Sequence, residues 1–175
     1  MKHVSGLLTT TITLLLALTG CGYHVAGRSS RLPADVHVLA VPVFVNQTQA
    51  YRVEQVMTQD VVRELIDRTH YHVVNDKGVD ADAVLKGVVV SAHAAPLTYD
   101  DQSGRVSSAV VSLTMKVTLL DRNGRVLFEN PNYVFRQQYQ VSREVTSFFE
   151  ESTPALQRIS QDFARTLVTD ILEAF

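Results

Sequence analysis

The sequence has very little of the residue chemistry on which most enzymes and nucleic-acid-binding proteins depend. Its 175 residues include one cysteine and no tryptophan, and they carry a net charge of −2. A mildly acidic chain without a basic stripe argues against nucleic acid as a partner. It contains no glycine-rich phosphate-binding loop and no HExxH, GxSxG or CxxC motif. The sequence therefore gives no positive support for catalysis, and the cysteine becomes its most informative residue.

Cys21 lies where a secretory signal peptide would end. An apolar segment from Val4 to Leu18 precedes it, too short to span a membrane and typical of a signal peptide. The run Leu18-Thr19-Gly20-Cys21 resembles the lipobox of bacterial lipoproteins, in which the chain is cut before the cysteine and the thiol is acylated. We therefore predict a signal peptide at residues 1–20 and lipidation of Cys21, since two or three acyl chains anchor a protein stably. The alternative is an ordinary signal peptide beside an unmodified cysteine.

The residue after the cysteine bears on which membrane holds the protein. Gly22 stands where many inner-membrane lipoproteins of Gram-negative bacteria carry an aspartate. The sequence therefore predicts an outer-membrane lipoprotein that faces the periplasm. Residues 21–34 are predicted to be a tether and residues 35–175 a single domain, a length that buries about 70% of its unfolded surface.

Two amphipathic helices and several strands are predicted in this domain. In the run Val36–Val45, odd- and even-numbered positions are both largely apolar and often β-branched, which is typical of a strand buried on both faces. Pro42 predicts that this strand lies at a sheet edge or contains a bulge. Apolar residues recur every four positions from Tyr51 to Arg68, which predicts a helix capped at Asn46 or Thr48. Further strands are expected at 71–74, 83–92, 106–120 and 126–141. A last helix is expected from Pro154 to the end, with Thr153 as its cap.

Strand 106–120 has the clearest pattern in the chain. Apolar and polar residues alternate along it, which predicts an antiparallel strand with one buried face and one face open to water or to a partner. Asn123-Gly124 predicts a hairpin turn, and Asn130-Pro131-Asn132 a bulge or split in the next strand. We therefore predict an α/β (α+β) two-layer sandwich: a mostly antiparallel or mixed sheet of four or five strands with both helices on one face. The apolar face comprises Ala109, Val111, Leu113, Met115, Val117 and Leu119, and the polar face Ser108, Ser112, Thr114, Lys116 and Thr118.

Six histidines raise the question of a metal site. His70 and His72 could share one face of a strand, but no cysteine or obvious carboxylate accompanies them, and a zinc site needs three or four convergent ligands. Asp80 and Asp82, at a strand entrance, are typical turn residues. We therefore predict no metal, no cofactor and no enzymatic activity, and a metal-dependent periplasmic hydrolase is the weakest hypothesis.

Several segments, taken in order, resemble the lipopolysaccharide-assembly lipoprotein family (LptE). The resemblance covers nearly all of the chain after the signal peptide. The resemblance rests on the order and spacing of the matching segments rather than on any single motif. The matching segments are Cys21–Gly27, Val41–Thr48, Ala81–Gly87, Pro96 with Tyr99, Asp121–Leu127 and Tyr139–Val141.

This resemblance implies a non-enzymatic lipoprotein that plugs and helps assemble the lipopolysaccharide-translocating β-barrel, LptD, and assists insertion of lipopolysaccharide into the outer leaflet. A competing hypothesis is a lipoprotein regulator that docks on a peptidoglycan synthase. If the barrel-plug hypothesis holds, the predicted partner-binding residues are Ser112, Thr114, Lys116 and Thr118. Because lipopolysaccharide phosphates require cations, its predicted binding residues are Lys116, Arg122, Arg125 and Arg105.

Overall fold

The computed structural model describes residues 36–75, 80–141 and 148–174, with side chains from Pro154 onward in the last range. Six strands in these ranges form one sheet of order β3-β1-β4-β5-β6, in which β2 also pairs with β4. The mixed sheet with two helices confirms the predicted α+β class. The elements are β1 (Val38–Ala40), β2 (Val45–Asn46), α1 (Val53–Arg68), β3 (His72–Val74), β4 (Ala83–Tyr99), β5 (Val106–Asp121), β6 (Val126–Gln140) and α2 (Phe148–Glu173).

The predicted strand Val36–Val45 is two short strands, which raises the strand count to six. Pro42 has no N–H to donate to a ladder, so the chain leaves the sheet after β1 and rejoins it at β2. The backbone N–H of Phe44 in this crossing segment donates to Thr58 Oγ1 on α1 (3.0 Å). The predicted edge position of Pro42 was wrong, since β1 lies between β3 and β4 and pairs with both in parallel.

Helix α1 begins at Val53, and its cap differs from the prediction. Arg52 is the N-cap residue, in the left-handed conformation (φ 54°), and its side chain makes no cap hydrogen bond. Asn46 shapes the preceding loop instead: its amide donates to the Ala50 carbonyl (2.8 Å) and its Oδ1 accepts from Thr48 N–H (2.9 Å). The predicted cap residues therefore close the turn into the helix rather than bond to its first N–H groups.

Strand β5 is the centre of a long antiparallel ladder with β4 and β6. Its odd-numbered residues from Ala109 to Leu119 are buried, which confirms the predicted apolar face. Ser108, predicted on the open polar face, is buried instead. Its hydroxyl is hydrogen-bonded to Thr98 Oγ1 (2.6 Å) and accepts from Gln138 Nε2 (3.3 Å). The expected bulge in β6 is also present, as a register shift opposite Met115 and Val117.

Helix α2 begins at Phe148, six residues before the predicted start, and Pro154 lies inside it. An internal proline removes one backbone hydrogen bond, a local cost that does not end the helix when the following turns pack well. Its buried residues include Ile159, Phe163, Leu167 and Ile171, as the predicted stripe requires.

The helices pack side by side on one sheet face. Ser160 Oγ donates to the Val56 carbonyl (3.1 Å), Gln157 Nε2 to Asp60 Oδ2 (2.8 Å), and Arg68 Nη1 to Thr169 Oγ1 (2.8 Å). These bonds run from one end of α1 to the other, so the two helices form one layer over the sheet.

An aromatic cluster joins α2 to this sheet. Phe163 is fully buried and meets Phe44, Tyr133 and Phe135 edge-on, with ring centroids 6.5, 5.7 and 5.8 Å away. Gly87 on β4 leaves space for the Phe44 ring, because a Cβ at position 87 would lie 2.6 Å from Phe44 Cγ. The cluster therefore depends on a residue without a side chain.

Candidate functional site

The sheet face opposite the helices is uncovered among the described residues, and we call it the open face. It consists of the even-numbered residues of β5 from Val110 to Leu120 and their neighbours across the ladder. Two of its rows are Ser91–Thr114–Val134 and His93–Ser112–Arg136. The predicted partner-binding residues all lie on this face, and their role stays a prediction: Ser112, Thr114, Lys116 and Thr118.

The open face is less polar than the sequence of β5 alone indicates. Ser112, Thr114 and Thr118 are half-buried, whereas Val126 and Val134 on β6 are 51% and 45% exposed. Val126 ends a row of apolar residues that continues through Leu120. This apolar contribution was missed because it comes from flanking strands, and only the pairing register places those valines beside β5.

Each of three predicted lipopolysaccharide-binding cations has a carboxylate partner. Lys116 Nζ lies 3.2 Å from Glu129, Arg122 Nη2 lies 2.7 Å from Asp82, and Arg125 Nε lies 3.1 Å from Asp121. All three cations are largely exposed, so these pairs contribute little to stability. A phosphate at this site would have to compete with the carboxylates.

The four predicted cations do not converge on one point. Arg122 and Arg125 line a cavity of about 250 Å³ at the β5–β6 hairpin, together with Val36. Lys116 lies farther along the open face, opposite Val88. Arg105 lies at the other end of β5, a strand of 16 residues that spans roughly 50 Å. A single site can therefore use the hairpin arginines but not Arg105.

Asp82 connects this hairpin to the start of β1. Its Oδ2 accepts from the backbone N–H groups of His37 (2.9 Å) and Val38 (2.8 Å), and its Oδ1 accepts from Arg122 (2.7 Å). The two backbone bonds, followed by the charge of Arg122, hold the pKa of Asp82 below its usual value of 3.8. Arg122 therefore has a structural partner, which its position at a hairpin tip did not indicate.

Tyr133 also has a perturbed pKa. Burial, and then the hydrogen bond from its hydroxyl to Asp170 Oδ2 (2.6 Å), raise this pKa. A tyrosine that stays protonated is suited to holding α2 on β6 rather than to proton transfer.

The described residues provide neither a cluster of metal ligands nor a membrane-spanning helix. No group of three or more histidine, cysteine, aspartate or glutamate side chains in this part of the chain could hold a metal ion. Within the same ranges, neither helix is long and apolar enough to cross a membrane. Cys21, the signal peptide and the tether lie outside the described residues, so their assignments stay predictions.

Comparison with known proteins identifies the family. The model of the family described as LptE, lipopolysaccharide-assembly, matches residues 36–171. A search of curated protein sequences finds no match. Among solved structures the chain is similar to lipoprotein B from Nitrosomonas europaea, at 17% identity and a TM-score of 0.54, covering 83% of this chain and 87% of that one. It is also similar to the rare lipoprotein B from Shewanella oneidensis, at 12% identity and a TM-score of 0.50, covering 77% and 94%. At these identities the likeness shows the fold.

Proposed function

The chain belongs to the LptE lipopolysaccharide-assembly family, and from this membership we propose that it plugs and helps assemble the lipopolysaccharide-translocating β-barrel LptD. In this proposal Cys21 carries the lipid that holds the protein on the periplasmic side of the outer membrane. The domain assists insertion of lipopolysaccharide into the outer leaflet by binding, without catalysing a reaction.

The open face is the observation that supports this proposal. Both helices lie on the other side of the sheet, which leaves the long strands β4, β5 and β6 available to a partner. Small polar residues and exposed valines share this face with four charged residues, Lys86, Lys116, Glu129 and Arg136. Such a mixture of apolar, polar and charged side chains is typical of the surface of a protein interface.

Site-specific photo-crosslinking in cells tests the orientation. We expect crosslinkers at positions 112, 114 and 116 to capture LptD. Matched probes at Asp67 on α1 and Thr166 on α2, both exposed on the helix layer, should not. Capture of LptD from the helices alone would contradict the proposed orientation. Capture of a penicillin-binding protein from the open face would instead favour a regulator of peptidoglycan synthesis.

The lipopolysaccharide-binding prediction needs its own test. Glu substitutions at Lys116, Arg122 and Arg125 should abolish binding of lipopolysaccharide. Glu substitutions at Arg122 and Arg125 alone, which keep the predicted partner residue Lys116, should weaken this binding while LptD is still captured. Because Arg122 also holds Asp82, both variants must keep the wild-type unfolding midpoint. Arg165→Glu is the control, since Arg165 is 65% exposed and near a carboxylate but lies on α2. Unchanged binding in the triple variant would place the ligand elsewhere.

A further inference from the structure

Among the described residues, the outer half of β4 is a sheet edge. Strands β1 and β2 pair with β4 only as far as Val89, whose carbonyl accepts from Gln47 N–H (3.0 Å). Beyond Val89, β4 continues to Tyr99 and pairs with β5 on one side. Among the described residues, none pairs with its other side. Backbone N–H and C=O groups therefore face outward there without a protein partner in the described chain.

This edge contains a regular, uncharged window. The β4–β5 register is shifted between Val89 and Ser91 and again between Pro96 and Thr98, but it is unbroken between these points. From Gly87 to Tyr99 the sequence contains no lysine, arginine, aspartate or glutamate. Natural sheet edges are protected by charges, prolines and bulges. Here the bulges and Pro96 lie at the ends of the window, so its middle keeps a plain strand edge.

We propose that Ser91–Ala95 is a strand-addition site, where an extended, uncharged segment of the protein partner joins the sheet beside β4. This inference rests on the proposed function, which makes the partner LptD. The window is continuous with the open face, because Ser91 and His93 end the rows that contain Thr114 and Ser112. A partner seated on the open face is thus brought to this edge. Since the wall strands of a closed barrel have no free edge, the added segment comes from a loop or a terminal extension.

A second copy of this chain fits the edge less well. Two-fold pairing about His93 would put the two Val36 ends at opposite ends of the joined sheet, roughly 90 Å apart at 3.4 Å per residue. From Cys21 to Val36 an extended chain reaches at most about 50 Å. Two copies anchored in one membrane would therefore have to lie flat along it, whereas a strand from a different protein imposes no such restriction.

Hydrogen exchange on the co-purified complex of the full-length lipidated chain with LptD tests the site. We expect backbone amides within 91–95 to exchange at least tenfold more slowly in the complex than in the free chain, and amides of 134–138 on the opposite edge to be unchanged. Equal exchange at 91–95 in both states would overturn the strand-addition site while leaving the proposed function intact. If no complex forms with the wild-type chain, the proposed function fails and the site fails with it.

A matched pair of variants gives an independent readout. Ala94 and Gln137 lie at the two ends of the row that contains Val111, on the sheet face away from the open face, so a lysine at either position adds the same charge to opposite sheet edges without changing the open face. Ala94→Lys should reduce recovery of LptD at least tenfold, and Gln137→Lys should not. Equal recovery with both variants would count against the site. Protection of 91–95 in the isolated chain that rises with its concentration would assign the edge to a second copy and overturn the proposal.

Discussion

Replacing Phe163 by alanine is the sharpest test of the core. The side chain is fully buried and makes edge-on contacts with three aromatic rings. Phenylalanine-to-alanine changes in cores cost about 3–5 kcal/mol, and the aromatic pairs keep this site above the lower end of that range. We therefore expect a loss of about 4 kcal/mol, a large fraction of the stability of a typical domain.

Urea unfolding of the domain without its lipid anchor measures this loss. With a slope of about 2 kcal/mol per molar urea, the midpoint should fall by about 2 M with little change in slope. Tyr99→Ala is the control, because Tyr99 is an aromatic residue that is 59% exposed, and its change should stay within about 0.5 kcal/mol. A loss below about 1 kcal/mol for Phe163→Ala would refute the packing of α2 on the sheet.

Three further predictions concern single residues. Gly87→Ala should lower the free energy of unfolding by about 1–3 kcal/mol, as overpacking does, and Phe44→Leu should restore part of it; an unchanged midpoint in Gly87→Ala would exclude the close approach. Asp82→Asn should destabilise the domain at neutral pH, because the depressed pKa of Asp82 stabilises the fold above pH 3.8. That difference from the wild type should vanish as the pH falls through the lower pKa in the folded state, and a constant difference in acid unfolding curves would contradict it. Cys21→Ala should release the protein from the membrane or leave an uncut precursor, and an unmodified N-terminal peptide in mass spectra of the native protein would exclude lipidation.

The sequence predicted helices and strands well where the apolar residues recur with a single clear period. The alternation along β5 and the stripes of both helices follow directly from which side chains meet the core. Pro42 and Pro154 were harder to interpret, because their effect depends on the rest of the fold. Pro42 interrupts the chain between β1, an interior strand of the sheet, and β2, whereas Pro154 is accommodated inside a helix.

The candidate site was harder to predict than the fold. Charges near one another in sequence suggested a cationic hairpin, but the decisive partners are distant. Asp82 lies 40 residues from Arg122, and only the β4–β5 register brings them together. The edge that β4 presents within the described residues was likewise not predictable, because it depends on how far β1 and β2 extend rather than on any pattern within β4 itself.

The bonds around Asp82 have a mechanical consequence. If the chain is held through the residues before Val36, any pull on the anchor enters the fold at β1, and only its component along the strand loads the ladder in shear. Parallel partners on both sides, β3 and β4, oppose that pull in shear, so their hydrogen bonds share the load instead of opening one after another. The Asp82 carboxylate accepts hydrogen bonds from the backbone N–H groups of His37 and Val38, at the start of β1, and from Arg122. These bonds transfer part of the force to the β5–β6 hairpin. A force applied at Val36 would therefore meet a strand in the interior of the sheet, held by two neighbouring strands and by the hairpin, rather than a strand at the sheet edge.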